Sequence, residues 1–82
     1  MRLDKFLKVS RLIKRRSVAA DACSASRVLL NGREAKPAKE VREGDVIEIV
    51  YGKGSLKVRV TSVAEVTKKE SAAELYEVVE EE

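Results

Sequence analysis

The sequence predicts an α+β fold in which two N-terminal helices pack on a small, mainly antiparallel sheet, with a short C-terminal helix and an acidic tail. Three features predict it. Apolar residues near the start recur at helical spacing, an Asn-Gly pair separates two short apolar runs, and a later stretch alternates apolar and polar residues. At 82 residues the chain is expected to form one domain over residues 1–82, because a chain of this size supports only one small core. The core motif is expected over about 1–52, and a hairpin and tail over 53–82.

Leu3, Phe6 and Leu7 fall at i, i+3 and i+4, on one side of a short first helix, and Lys5 and Lys8 point away from that stripe. Ser10 to Arg16 reads as a connection, partly helical, in which Leu12 and Ile13 dip into the core. Ser17 is placed to cap a second helix, SVAADACSAS, because its hydroxyl can accept from an otherwise unpaired backbone N–H. That helix has small packing residues, Val18, Ala19, Ala22 and Ala25, so its backbone can approach another element closely. RVLLNGREA then puts two short strands around Asn31-Gly32, a pair that readily takes the positive φ angles of a tight hairpin. Pro37 marks a loop and Gly44-Asp45 a turn. VIEIVY, Gly52-Lys53-Gly54 and SLKVRVTSV form the clearest hairpin, with Leu56, Val58 and Val60 inward and Lys57, Arg59 and Thr61 outward. Lys53, Lys57 and Arg59 read as a solvated sheet face. A short helix is expected around Ser71 to Leu75, and the acidic residues after it are expected to fray.

Composition removes several functions. The chain has no His and a single Cys, so neither an internal disulfide nor a zinc site is expected, and Cys23 reads as a small packed thiol. There is no Gly-rich phosphate loop, since Gly52-Lys53-Gly54 does not match a Walker motif. No catalytic residues, cofactor or metal are therefore expected. One Phe, two Tyr and no Trp make no stacking platform for single strands and line no deep apolar pocket. The apolar runs are short and broken by charge, and the first residues resemble neither a signal peptide nor a membrane span; a cytoplasmic protein without membrane contact is expected.

The net charge of +3 conceals a segregation: residues 1–42 hold twelve Lys or Arg against four acids, and residues 43–82 hold five against ten. Arg2, Lys5 and Lys8 recur every three residues, and Arg11, Lys14, Arg15 and Arg16 continue the surface toward the second helix. A solvated charged face is the plain reading of any such cluster. Here only Asp4 opposes seven cations, and it is expected to orient a neighbouring Arg. Four of the seven are Arg, whose forks suit phosphate, and the cluster adjoins a helix N-terminus that attracts anions. RNA recognised by backbone and shape is the expected ligand. Arg27 at the helix-to-strand corner and Asn31 at the hairpin tip are further candidates, Asn31 being first a turn residue.

RLDKFLKVSRLIKRRSVAADACSASRVLLNG, followed by REGDVIEI, resembles the RNA-binding domain first named after ribosomal protein S-four. The match runs from residue 1 to about 52, on RLDKFL, Arg15-Arg16-Ser17, the Asn-Gly turn and the Gly-Asp turn. The full-length fit, including TKKESAAELYE at 67–77, is similar to small stand-alone members that serve ribosome-associated quality control, and a related branch is heat-shock protein fifteen. The resemblance implies an alpha-L type RNA-binding fold. It implies binding to 23S rRNA of an obstructed 50S subunit and to P-site peptidyl-tRNA, in support of an RqcH-like factor that adds an alanine tail. Arg2 and Arg16 are its strongest implied contacts, with Lys5, Lys8, Arg11, Arg15 and Ser17 around them. The family often has Gly where this chain has Ser26, so a positive φ there would be strained.

The chain is expected to act as a monomer. The rivals are a heat-shock-type recycling factor for 50S subunits carrying peptidyl-tRNA, and an adaptor whose basic face meets an acidic protein. An enzyme fragment is a further rival, because the same domain is appended to rRNA pseudouridine synthases and tyrosyl-tRNA synthetases. A membrane-surface binder is disfavoured because Leu3, Phe6 and Leu7 are needed for the core.

Overall fold

The computed structural model describes residues 1–64 and 75–81. Helices α1 (Leu3–Val9) and α2 (Arg16–Ser24) precede strands β1 (Val28–Leu30), β2 (Arg33–Glu34), β3 (Val46–Tyr51), β4 (Gly54–Val60) and β5 (Tyr76–Glu81). The strands form one sheet in the order β2-β1-β3-β4-β5, with every neighbouring pair antiparallel.

The helical stripe does what its spacing predicts: Leu3, Phe6 and Leu7 are wholly buried. They meet Ala19 and Cys23 of α2, Val28 and Leu30 of β1, Ile47 of β3 and Val58 and Val60 of β4 in one core. Leu12 and Ile13 pack against its margin, as the sequence predicts for the connection. Truncating Phe6 to Ala would remove the largest side chain of this core, at a cost of about 3–5 kcal/mol.

Both helices end through a residue in left-handed conformation that is not glycine. Ser26 has φ +60°, with its N–H bonded to the Cys23 carbonyl and the Arg27 N–H bonded to that of Ala22. This is the paired closure that usually recruits Gly. Arg11, at φ +63°, closes α1 in a related way, its N–H donating to the Lys8 carbonyl. The positive φ that would be strained in a residue other than Gly is present at Ser26, and a second such position lies at Arg11.

The Asn31-Gly32 turn forms as read, with φ values of +53° and +82° between the facing residues Leu30 and Arg33. Positive φ at both central residues matches the turn to the right-handed twist of the strands. Two expectations fail. Ser17 does not cap α2: the helix begins one residue earlier, behind an extended Arg15, and no side chain caps it. The Arg15 carbonyl already accepts from the Ala19 N–H, which sets the first turn and draws Ser17 inside the helix.

The acidic stretch expected to fray forms a strand as far as Glu81, and Glu82 lies outside the described residues. Tyr76–Glu81 is β5, paired along β4, with Lys57 facing Glu80 and Arg59 facing Glu77 across the ladder. Opposite charges on facing residues stabilise such a pair, and Leu75, wholly buried, anchors its start. Arg59 is thus not simply solvated, because its Nη1 lies 2.8 Å from Glu77 Oε1. The rest of the helix expected around Ser71 to Leu75, and Lys68-Lys69, lie outside the described residues.

Candidate nucleic-acid interface

The basic cluster is organised by a carboxylate. Asp4 sits in the first turn of α1 and is almost fully buried, yet three groups donate to it. The Lys5 backbone N–H reaches Oδ1 at 2.7 Å. Arg2 approaches with a two-pronged contact, Nε to Oδ1 at 3.2 Å and Nη2 to Oδ2 at 3.1 Å. Arg16, twelve residues on at the start of α2, places Nη2 3.4 Å from Oδ1. Burial alone would raise the Asp4 pKa, but the Lys5 N–H and the two guanidinium groups outweigh it and hold the carboxyl below its ordinary range. The group is therefore ionised at neutral pH and holds Arg2, just before α1, and Arg16, at the start of α2, in a fixed relation.

Both Arg side chains remain about half exposed, at 53% for Arg2 and 47% for Arg16. Arg2 spends two nitrogens on Asp4 and Arg16 one, and a guanidinium carries five N–H donors, so each keeps donors for an outside acceptor. Lys5 is partly buried on the same turn, Lys8 is exposed in the last turn of α1, and Arg11, Lys14 and Arg15 are exposed along the connection between the helices. Ser17 is exposed in the first turn of α2, a turn with neither acidic residue nor side-chain cap. Its N–H groups add a positive partial charge to the same corner.

The structure does not bring all the candidates together. Arg27 lies past the C-terminal end of α2, with the length of that nine-residue helix, roughly 13 Å at the rise of a helix, between it and the turn that carries Arg16. Asn31 is occupied within the fold: its Nδ2 donates to Asp45 Oδ1 at 3.1 Å and its Oδ1 accepts from the Val46 N–H at 2.9 Å. Asp45 in turn accepts from the Arg42 N–H at 2.9 Å, so the hairpin tip and the Gly44-Asp45 turn are tied together.

One contribution has no local signal in the sequence. The loop after β2 runs back to the start of α1, where the Leu3 N–H donates to the Lys39 carbonyl at 2.8 Å and the Asp4 N–H to that of Pro37 at 3.1 Å. This long-range pairing fixes the turn that carries Arg2 and Asp4. Cys23 stands just behind the site, and burial together with the Asp4 charge pushes its thiol up to about 11. It is a packed thiol and not a nucleophile at neutral pH. Among the described residues, no group of acidic or Cys side chains is arranged to hold a metal, and no helix is long and apolar enough to cross a membrane.

Two helices on a small antiparallel sheet, presenting an Arg pair braced by one buried carboxylate within a larger basic surface, define a small RNA-binding module. A family model described as the S4 domain matches residues 1–47, and the chain belongs to the S4 domain family. Along its whole length it is 51% identical to the RQC P-site tRNA stabilizing factor of Halalkalibacterium halodurans, covering 93% of that protein. Against the factor of the same name from Bacillus subtilis the identity is 45%, again over the whole chain and 95% of the relative. The fold is also that of Vibrio cholerae heat shock protein 15, solved as a trimer, with a TM-score of 0.88 and 30% identity over 96% of this chain and 81% of that one.

Proposed function

We propose that the protein is a non-catalytic, cytoplasmic, monomeric factor of ribosome-associated quality control, one domain in extent. It binds 23S rRNA of obstructed 50S subunits and steadies the P-site peptidyl-tRNA, so that an RqcH-like factor can add alanine to the stalled chain. The observation that carries this reading is the Arg2–Asp4–Arg16 cluster, on a chain that matches P-site tRNA stabilizing factors from end to end. A single ionised carboxylate holds both guanidinium groups before RNA arrives, so less side-chain freedom is lost on binding. Lys5, Lys8, Arg11, Lys14 and Arg15 supply long-range attraction, and the acidic β5 at the far edge of the sheet disfavours the opposite approach. Arg27 and Asn31 are peripheral in this scheme.

The likeness to heat shock protein 15 favours one second reading, a recycling factor for 50S subunits that carry peptidyl-tRNA. Sedimentation of the tagged protein from gently lysed cells tests both. Enrichment on 50S particles bearing peptidyl-tRNA is expected, with loss of alanine tails on deletion under the first reading and intact tails under the second. Protein found only in the free fraction at low salt would refute both, and light scattering of the purified chain checks the monomer.

A further inference from the structure

Arg33, Lys36, Lys39 and Arg42 form a second series of cations at three-residue spacing, on β2 and the loop that follows it. All four are exposed, and among the described residues none of their side chains is engaged in an ion pair. Two acids lie in the same stretch. Glu40 is taken up by the α-ammonium group of Met1 at 2.7 Å, which leaves Glu34 as the acid lining the groove of Arg33, Lys36 and Lys39, while Glu40 and Asp45 stand beside Arg42 in the adjoining depression. Arg33, Lys36 and Lys39 line an open groove of about 750 Å³, with Leu30, Ala35 and Ala38 as its apolar lining and Glu34 on one wall. Lys39 and Arg42 continue into the adjoining depression.

Like charges lining one groove repel one another, and an anion seated among them relieves that repulsion. The groove has no aromatic lining, so it suits a phosphate backbone and offers no stacking for a base. Its loop is also fastened to α1 through the Leu3 and Asp4 backbone N–H groups, which keeps it in a set relation to Arg2 and Arg16. We propose that this groove is a second phosphate-binding surface, which takes the backbone of one RNA segment while the helix-pair face holds another. The proposal rests on the RNA-binding reading above and adds to it a bridging geometry.

The test uses the full chain and two RNA duplexes of about 12 base pairs, unrelated in sequence and labelled with different dyes. Fluorescence cross-correlation reads their co-diffusion at limiting protein. The wild type is expected to carry both dyes. The R33A/K36A/K39A variant, altered only at exposed side chains, is expected to lose co-diffusion at least about fivefold while its affinity for one duplex falls less than about threefold. Co-diffusion equal to wild type in that variant, or a wild type that holds only one duplex, would overturn the second surface. Poly-glutamate that abolishes co-diffusion at equal charge, leaving single-duplex binding intact, would also overturn it by assigning the groove to an acidic protein. A wild type that binds neither duplex would instead refute the RNA-binding reading itself.

Discussion

Replacing Asp4 by Asn separates bracing from simple charge neutralisation. Asn keeps an acceptor for the Lys5 N–H but removes the charge that draws in Arg2 and Arg16. A bond to a charged acceptor contributes about 1 kcal/mol more than its neutral counterpart. Each of the two half-exposed ion pairs adds about 0.5 kcal/mol after solvent screening. The expected loss is about 2 kcal/mol, or roughly 10 °C in Tm for a chain of this size. Because the folded pKa of Asp4 is lowered from 3.8, its ionised form stabilises the fold fully above 3.8, and that contribution disappears as pH falls through the folded value. In thermal melts from pH 7 down to about pH 2.5, the gap between wild type and D4N should therefore narrow as pH falls below 3.8. A gap that stays constant across that range would refute an electrostatic role. RNA binding supplies the second arm. Removing an acid from a basic face should tighten binding if Asp4 is merely a neutralising charge, whereas loss of bracing should weaken it. Ordering one or two freed Arg side chains costs about 1–1.5 kcal/mol, giving a five- to tenfold weaker Kd by fluorescence anisotropy. A tighter Kd for D4N would sink the bracing scheme.

Other outcomes are equally definite. Arg2→Ala or Arg16→Ala alone leaves Asp4 one guanidinium partner, so Tm should fall by no more than about 5 °C while 50S association in gradients drops severalfold; the reverse pattern would make the pair structural. Ser26→Gly relieves a left-handed φ of +60° and should raise Tm by about 4–8 °C, for roughly 1 kcal/mol, with RNA affinity unchanged. An unchanged or lower Tm would show that Ser26 is not strained. Cys23, buried and with its pKa near 11, should react with a thiol-labelling disulfide only as fast as the protein opens. Labelling at the rate of a free thiol at pH 7 would refute its burial.

Local pattern made much of this molecule legible. The stripe of Leu3, Phe6 and Leu7, the Asn31-Gly32 hairpin and the alternating Leu56, Val58 and Val60 each carry their own periodicity, and each forms as read. Asp4 was legible as an orienting charge because it stood alone among cations, but that it holds both Arg2 and Arg16 depends on how α1 meets α2. Two further points depend on contacts distant in sequence, and a third on a choice between competing local backbone bonds. The acidic β5 looks like a solvated tail until Lys57 and Arg59 face it. The docking of Lys39 and Pro37 on the start of α1 leaves no trace in side-chain pattern, because it uses backbone groups alone. Ser17 has the chemistry of a cap, yet the Arg15-to-Ala19 hydrogen bond places it inside the helix, a choice that propensity cannot make.

The Asn31-Gly32 tip also bears on how the protein ages. Asn followed by Gly is the pair most prone to spontaneous deamidation, in which the Gly N–H attacks the Asn side-chain carbonyl and ammonia leaves. Here the Asn31 carboxamide is held from both ends, by Asp45 and by the Val46 N–H, and cannot swing freely onto the Gly32 nitrogen. Conversion to Asp would set a new carboxylate against that of Asp45, which lies 3.1 Å from the amide nitrogen it would replace. Chemical lifetime is thus coupled to folding, since each local opening of the tip exposes the bond to a clock that the closed hairpin holds nearly still.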